Sequence, residues 1–289
     1  MSSPATPQSI MTPTQIKAAL AEIGVHPSKG RGQNFLFDVA AVTDALRFAR
    51  VTSDENVIEV GPGLGVLSAP LAAAAKRYCA IEVEERFCAR LSQQFVDAPA
   101  CEVVCEDVRR VDLAADERFK AERWVVVSNV PYSISTEVIL WILENRSHIS
   151  RACLLLQREF AERVAAEPGT REASALTLHC ALYADVRLGR TVSGSCFFPS
   201  ADVESALLEF RLLAAPRVAV NEQLYEQVVR AAFGQRRKTL ANSLSGAVTL
   251  GEKERVAEAL ASAGIDAKRR AETLTVAEFC RLTDAFERA

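Results

Sequence analysis

The sequence is short of several things, and each shortage removes a class of function. No apolar run approaches the ~20 residues needed to cross a bilayer; the longest, Trp124–Val127, Cys153–Leu156 and Ala206–Leu208, are strand-sized. Basic residues are not in excess: Lys and Arg number 34 against 37 Asp and Glu, a formal net charge of −3. Most nucleic-acid binders are basic overall, so such a role would have to rest on local clusters. None of the eight cysteines forms a Cys-x-x-Cys pair, and most lie in apolar segments, where cysteine acts as a small hydrophobe. Scattered in this way they read as reduced core thiols of a cytoplasmic protein. His26, His148 and His179 lie far apart without His-Glu-x-x-His spacing, so no metal is expected. No internal repeat is visible. Residues 1–15 are rich in Ser, Thr and Pro. They lack the basic start and apolar core of a secretory signal and the arginines of a transit peptide, and read as a frayed extension.

What remains is the balance of a globular chain: 289 residues, 49% hydrophobic and 25% charged, enough for one large or two ordinary domains. Short β-branched segments at 57–60, 78–83, 101–105, 124–128 and 151–156 alternate with helical patterns at 38–48, 66–75, 84–95, 136–144 and 158–166. That alternation predicts an α/β architecture, a parallel, doubly wound sheet with helices on both faces. Two further strands are expected at 185–192 and 205–212. Beyond Ala214-Ala215-Pro216 only helical patterns follow, at 222–233, 238–246, 252–263 and 276–288. The partition is therefore 1–28, an N-terminal extension with a short helix; 29–213, the sheet domain; and 214–289, a small all-helical domain.

In an open α/β sheet, ligands bind at the carboxyl ends of the strands. The first strand runs into Gly61-Pro62-Gly63-Leu64-Gly65, where glycines permit a tight turn and close backbone approach to a ligand. Its spacing, Gly-x-Gly-x-Gly, departs from the dinucleotide fingerprint. Glu82 ends the second strand, where a carboxylate can accept from ribose hydroxyls. Asp107 follows the third and can accept from an adenine amine. Each acid alone also fits an ordinary solvated loop position; together they describe an adenosine site. Without a phosphate-binding Lys-Ser/Thr, S-adenosylmethionine fits it better than ATP or NAD.

The fourth strand ends in Asn129-Val130-Pro131-Tyr132. An exocyclic purine amine is a poor nucleophile because its lone pair is delocalised. Two acceptors aimed at its N–H groups favour a pyramidal nitrogen, and the Asn129 side-chain oxygen with the carbonyl of Val130 or Pro131 can supply them. Pro131 fixes the turn, and Tyr132 offers a face on which an extruded base can stack. In isolation the tetrapeptide also fits an Asx-type turn with a packed tyrosine.

Lys29-x-x-Gly32-Gln33-Asn34-Phe35-Leu36, Glu59 to Gly65, Ile81-Glu82-Val83, Glu106-Asp107, Asn129 to Thr136, Leu156 to Glu159 and Phe233 to Leu240 occur in this order. So arranged, they resemble the small-subunit rRNA adenine N6,N6-dimethyltransferases of the KsgA type, relatives of the Erm methyltransferases, over nearly the whole chain after residue 28. The resemblance implies a Rossmann-like class I methyltransferase sheet at 29–213 and an RNA- or ribosome-binding domain at 214–289. It implies S-adenosylmethionine as cofactor, held by Asn34, Leu36, Gly61, Gly63, Glu82, Asp107 and Asn129. Its catalytic set is Asn129, Pro131, Tyr132 and Phe197, the last holding the target adenine opposite Tyr132; an ordinary core phenylalanine is the competing reading. Ala173, Ser174, Ala181, Ala201, Asp202 and Glu204 depart from the family pattern on the substrate-facing side.

The basic clusters Lys29/Arg31, Arg236-Arg237-Lys238 and Lys268-Arg269-Arg270 are the places where rRNA phosphates would bind. The acidic total favours a preassembled small ribosomal subunit over naked RNA, with the protein a cytoplasmic monomer. The alternatives are an Erm-like large-subunit rRNA methyltransferase, a ribosome-assembly binding factor with weak activity and, from the fold alone, a nicotinamide oxidoreductase.

Overall fold

The computed structural model describes residues 10–26, 34–120, 122–235 and 237–289. Its centre is a seven-stranded sheet. In chain order the strands and helices are α1 (Pro13–Glu22), β1 (Phe35–Leu36), α2 (Val39–Ala49), β2 (Asn56–Val60), α3 (Ser68–Ala74), β3 (Arg77–Glu82), α4 (Glu85–Gln94) and β4 (Cys101–Cys105). Then come β5 (Trp124–Asn129), α5 (Ser135–Glu144), β6 (Ile149–Gln157), α6 (Arg158–Val164), α7 (Ala175–Tyr183), β7 (Ala184–Val192), β8 (Phe197–Phe198) and β9 (Ser205–Leu212). The chain closes with α8 (Glu222–Phe233), α9 (Leu240–Ser245), α10 (Lys253–Ser262) and α11 (Val276–Arg288).

The sheet order is β4-β3-β2-β5-β6-β9-β7. From β2 the chain winds outward through β3 to β4, then returns to the other side of β2 with β5. The strand order therefore reverses between β2 and β5, and a crevice opens at their carboxyl ends. β2 is buried along its whole length, as a central parallel strand covered on both faces must be. Val57, Ala80, Val125, Val127, Leu155 and Leu207 present one sheet face to Ala41, Val42 and Ala45 of α2. Asp38 starts that helix by accepting the Ala41 N–H at 2.8 Å.

The expectation of a wholly parallel sheet needs correction. β4, β3, β2, β5 and β6 are parallel, but β9 runs antiparallel to β6, from Arg151 opposite Arg211 to Gln157 opposite Ser205. The link from β7 to β9 holds only a 3-10 turn and the two-residue β8, too little for the helical crossover that a parallel return requires.

Two other differences are local. The short helix expected at 14–23 is α1, and its start reaches back into the stretch that composition reads as frayed: Thr12 and Gln15 form a reciprocal capping box there. Helix α7 has no counterpart in the sequence reading. Its signal is the Ser174–Thr177 capping box, with the Ser174 N–H donating to Thr177 Oγ1 at 2.9 Å.

The chain divides into two compact units. One runs to Ala161 and includes Arg187–Leu212; the other comprises Glu162–Val186 and Leu213–Ala289. Residues 162–186, placed with the sheet by sequence, thus group with the C-terminal helices. Within that second unit the buried Tyr225 hydroxyl donates to the Leu178 carbonyl at 3.2 Å, and Arg217 pairs with Asp185. Tyr225 and Phe233 flank Phe279 in its aromatic core.

Candidate active site

The reversal point of the sheet holds a cavity of about 510 Å³, within the size range of small-molecule sites. Five segments distant in sequence build it: Met11 and Ile16 at the start of α1, the Asn34–Leu36 stretch, the end of β2 with its glycine loop, the end of β3 at Glu82 with the residues that follow, and the 129–134 turn at the end of β5.

The glycine loop is shaped for close contact. Gly61 has φ +63°, and a Cβ there would sit 3.0 Å from the Pro131 ring; Gly63 has φ +58°, and its Cβ would meet Phe35 at 3.0 Å. Both positions require glycine on conformation and on space. The loop therefore lies directly against both the 129–132 turn and the segment that crosses the cavity.

Glu82 is buried at the end of β3. Its Oε2 accepts the Gly63 N–H at 3.1 Å, and its Oε1 accepts those of Val83 and Glu84 at 2.9 and 3.0 Å. Burial pushes this carboxyl above its usual range, with the three N–H donors pulling the other way. A carboxylate offers about four acceptor positions, so the main chain uses three and one remains toward the cavity on Oε2.

Glu59, at the head of the glycine motif, also lines the cavity. Its Oε2 accepts the hydroxyls of Ser68 at 2.7 Å and Tyr78 at 2.5 Å. Full burial drives its carboxyl up to about 7, against those two hydrogen bonds. Its position at the end of a central strand was the available signal.

Asn129 ends β5, and its Nδ2 donates to the main-chain carbonyl of Asn34 at 3.0 Å. That bond sets the amide's orientation: one of the two N–H groups of Nδ2 goes to Asn34, and Oδ1 is the acceptor left to the cavity. The Pro131 carbonyl closes the following 3-10 turn by accepting the Ile134 N–H at 3.0 Å. Tyr132 is half-buried on the cavity wall, its hydroxyl 2.6 Å from Ser205 Oγ. Burial raises its phenol.

Asn34, Leu36, Gly61, Gly63, Glu82, Asn129, Pro131 and Tyr132 are thus brought together around one cavity. Two expected members are not. Phe197 is 2% exposed, pairs with Leu36 across the β1–β8 ribbon, and packs in the core beneath α2. In this position its ring does not line the cavity. Asp107 lies at the end of β4 outside the cavity lining, its carboxylate gripped by the Arg109 guanidinium at 2.9 and 3.0 Å. That ion pair holds the carboxyl below its usual range.

Of the basic clusters, Lys29, Arg31 and Arg236 lie outside the described residues. Arg237 and Lys238 are exposed in the helical unit between α8 and α9. Arg269 is engaged structurally: it pairs with Glu278, pulling that carboxyl down to about 2. Among the described residues no group of His, Cys, Asp or Glu is arranged to hold a metal ion, and no helix is long and apolar enough to cross a membrane.

Comparison with known proteins supplies the family context. The profile described as ribosomal RNA adenine dimethylase matches residues 28–288. A ribosomal RNA small subunit methyltransferase A of Geobacter metallireducens is 40% identical over 264 residues, 91% of this chain and 96% of its own. Its counterpart from Geobacillus thermodenitrificans is 36% identical over 282 residues, 96% of each chain. Among solved structures, a dimethyladenosine transferase from Plasmodium falciparum shares the fold, with a TM-score of 0.72 at 22% identity over 88% of this chain and 98% of that one. The 23S rRNA methyltransferase ErmE superposes with a TM-score of 0.64 at 25% identity, covering 88% of this chain and 100% of its own.

Proposed function

The chain belongs to the ribosomal RNA adenine dimethylase family, and from that premise we propose that it is an S-adenosylmethionine-dependent enzyme that dimethylates N6 of two adjacent adenosines near the 3′ end of small-subunit rRNA. The observation that carries this reading is the fixed amide of Asn129. With Nδ2 committed to the Asn34 carbonyl, Oδ1 is the acceptor offered to an amine in the cavity. The main-chain carbonyl of Val130 is the second acceptor. Together they take the two N–H groups of an adenine amine and aim its lone pair along the cavity. Catalysis is then positioning and electrostatics, with no obligatory general base.

The residues present fit the cofactor. The cavity's volume and apolar wall accept an adenosyl group, the Glu82 Oε2 accepts one ribose hydroxyl, and the loop of Gly61 and Gly63 lies where only main chain can approach the methionine portion. When bound, S-adenosylmethionine supplies an electrophilic methyl group. Asp107 takes the adenine amine only on release from Arg109. The Tyr132 ring carries the extruded base. Residues 214–289, with Arg237 and Lys238, bind rRNA phosphates. The enzyme works as a cytoplasmic monomer on a preassembled small subunit, because its acidic total disfavours naked RNA.

The test is incubation with labelled S-adenosylmethionine and either immature small or immature large ribosomal subunits, followed by mapping of the label. Label on N6 of two neighbouring small-subunit adenosines is the expected result. Label on large-subunit rRNA would move the assignment to an Erm-like activity, consistent with the ErmE likeness. Binding without transfer would leave an assembly factor.

A further inference from the structure

The Asn129–Tyr132 turn explains how the amine is held but leaves open what orients the aromatic face beside it. The backbone at Tyr132 is fixed on both sides. Pro131 has its φ locked at −55°, and Ser135 Oγ donates to the Tyr132 carbonyl at 3.2 Å. The freedom that remains is in the side chain, whose staggered χ1 wells would swing the ring to quite different positions. One contact removes that freedom: the Tyr132 hydroxyl and Ser205 Oγ share a hydrogen bond of 2.6 Å. Ser205 is itself immobile. It is fully buried, begins β9, and is held in the sheet opposite Gln157 at the end of β6.

From this geometry we infer that Ser205 is a positioning residue, holding the Tyr132 ring in the plane that presents the target adenine to Asn129. The inference rests on the function proposed above, since it presumes a base stacked on Tyr132. It gives a reason for tyrosine at this position. Phenylalanine would stack equally well on area, but nothing would then tie its ring to the sheet two strands away. Stacking tolerates sliding and tilting, whereas transfer requires the amine in line with the methyl group, so a poorly held ring should lower turnover without lowering affinity.

The experiment is single-turnover methyl transfer with saturating cofactor and immature small subunits, on Tyr132→Phe, Ser205→Ala, their double variant and Tyr132→Ala. Losing one hydrogen bond of ordinary strength should slow the step about three- to tenfold in Tyr132→Phe and in Ser205→Ala. The double variant should be no slower than either single, and the dissociation constants for cofactor and subunit should match the parent. A purely structural bond would shift thermal stability and leave the saturated rate constant alone. Parental rates in Tyr132→Phe, or losses that multiply in the double variant, overturn the positioning role. Tyr132→Ala separates the two levels. If it too is as fast as the parent, stacking on Tyr132 is wrong; if it is slow while Tyr132→Phe is not, stacking stands and positioning falls. Should Ser205→Ala fail to fold, Tyr132→Phe decides alone, because it changes only a half-exposed side chain.

Discussion

Asn129 gives the most discriminating test, because its two amide atoms have opposite duties. Nδ2 donates to the Asn34 carbonyl across 95 residues of sequence, and Oδ1 is the acceptor for the target amine. Asn129→Ala removes both. Loss of one preorganised polar partner of a transition state costs ~10²–10³ in rate, and releasing Asn34 also loosens the segment over the cavity, so the single-turnover rate should fall by at least that order. Asn129→Asp is subtler. It keeps the acceptor but puts an oxygen where Nδ2 stood, 3.0 Å from a carbonyl oxygen that needs a donor. Two acceptors at that distance repel, so the ionised form should be nearly as slow as the alanine variant. The protonated form has an O–H to give to Asn34 and an oxygen for the amine. Proximity to the carbonyl disfavours the anion and raises the variant's carboxyl above the ordinary aspartate range. Its rate relative to the parent should therefore climb as pH is lowered toward and below that value. The assay is methyl transfer to immature small subunits, at saturating cofactor, with variant and parent measured side by side at each pH. A flat ratio would refute the assignment of the amide atoms, and near-parental chemistry in Asn129→Ala would reduce the tetrapeptide to a structural turn.

Glu82→Ala should weaken S-adenosylhomocysteine binding by roughly 10- to 150-fold, the range for one hydrogen bond to a charged acceptor at ~1.5–3 kcal/mol, as read by calorimetry. It should also lower the melting temperature, because the N–H groups of Gly63, Val83 and Glu84 lose their acceptor; an unchanged affinity would remove Glu82 from the site. Glu59 holds its proton to about pH 7 when folded, against 4.5 as the reference value. Its stabilising contribution is therefore complete below pH 4.5 and is lost as pH rises through 7. Glu59→Gln, whose amide oxygen can still accept from Ser68 and Tyr78, should gain on the parent by about 3 kcal/mol between pH 4.5 and 8 in urea unfolding. A pH-independent difference would mean that Glu59 ionises normally. Arg237→Ala with Lys238→Ala should reduce the slope of log affinity for RNA against log salt by about 1.5 and leave cofactor binding unchanged; identical slopes would make this pair a solvated surface.

Much of the sheet was legible because its signal is local. β-branched runs such as Val57–Val60 and the turn residues after them state strand and loop without reference to distant chain. The glycine loop, Glu82 and the Asn129–Tyr132 turn were legible as site components for the same reason: each sits at a strand end, and in a doubly wound sheet strand ends converge. What was not legible depends on which distant partner a residue finds. The pattern Phe197-Phe198-Pro199 is equally apolar whether its first ring faces a ligand or the core, and only the pairing of β1 with β8 sends Phe197 inward. Asp107 reads as an available acceptor until Arg109 folds back onto it. Helix α7 was hidden by a short apolar stretch that periodicity alone cannot type.

Most of the sheet's strands and helices, the glycine loop and the family were therefore readable from the chain alone, because propensity, periodicity and short motifs act over a few residues. The tertiary structure alone decided the antiparallel return of β9, the orientation of the Asn129 amide by Asn34, the anchoring of Tyr132 on Ser205 and the single acceptor position left on Glu82. Each of these is a hydrogen bond or pairing made between segments far apart in the chain. A buried polar group must find a partner somewhere, but no local rule says which one.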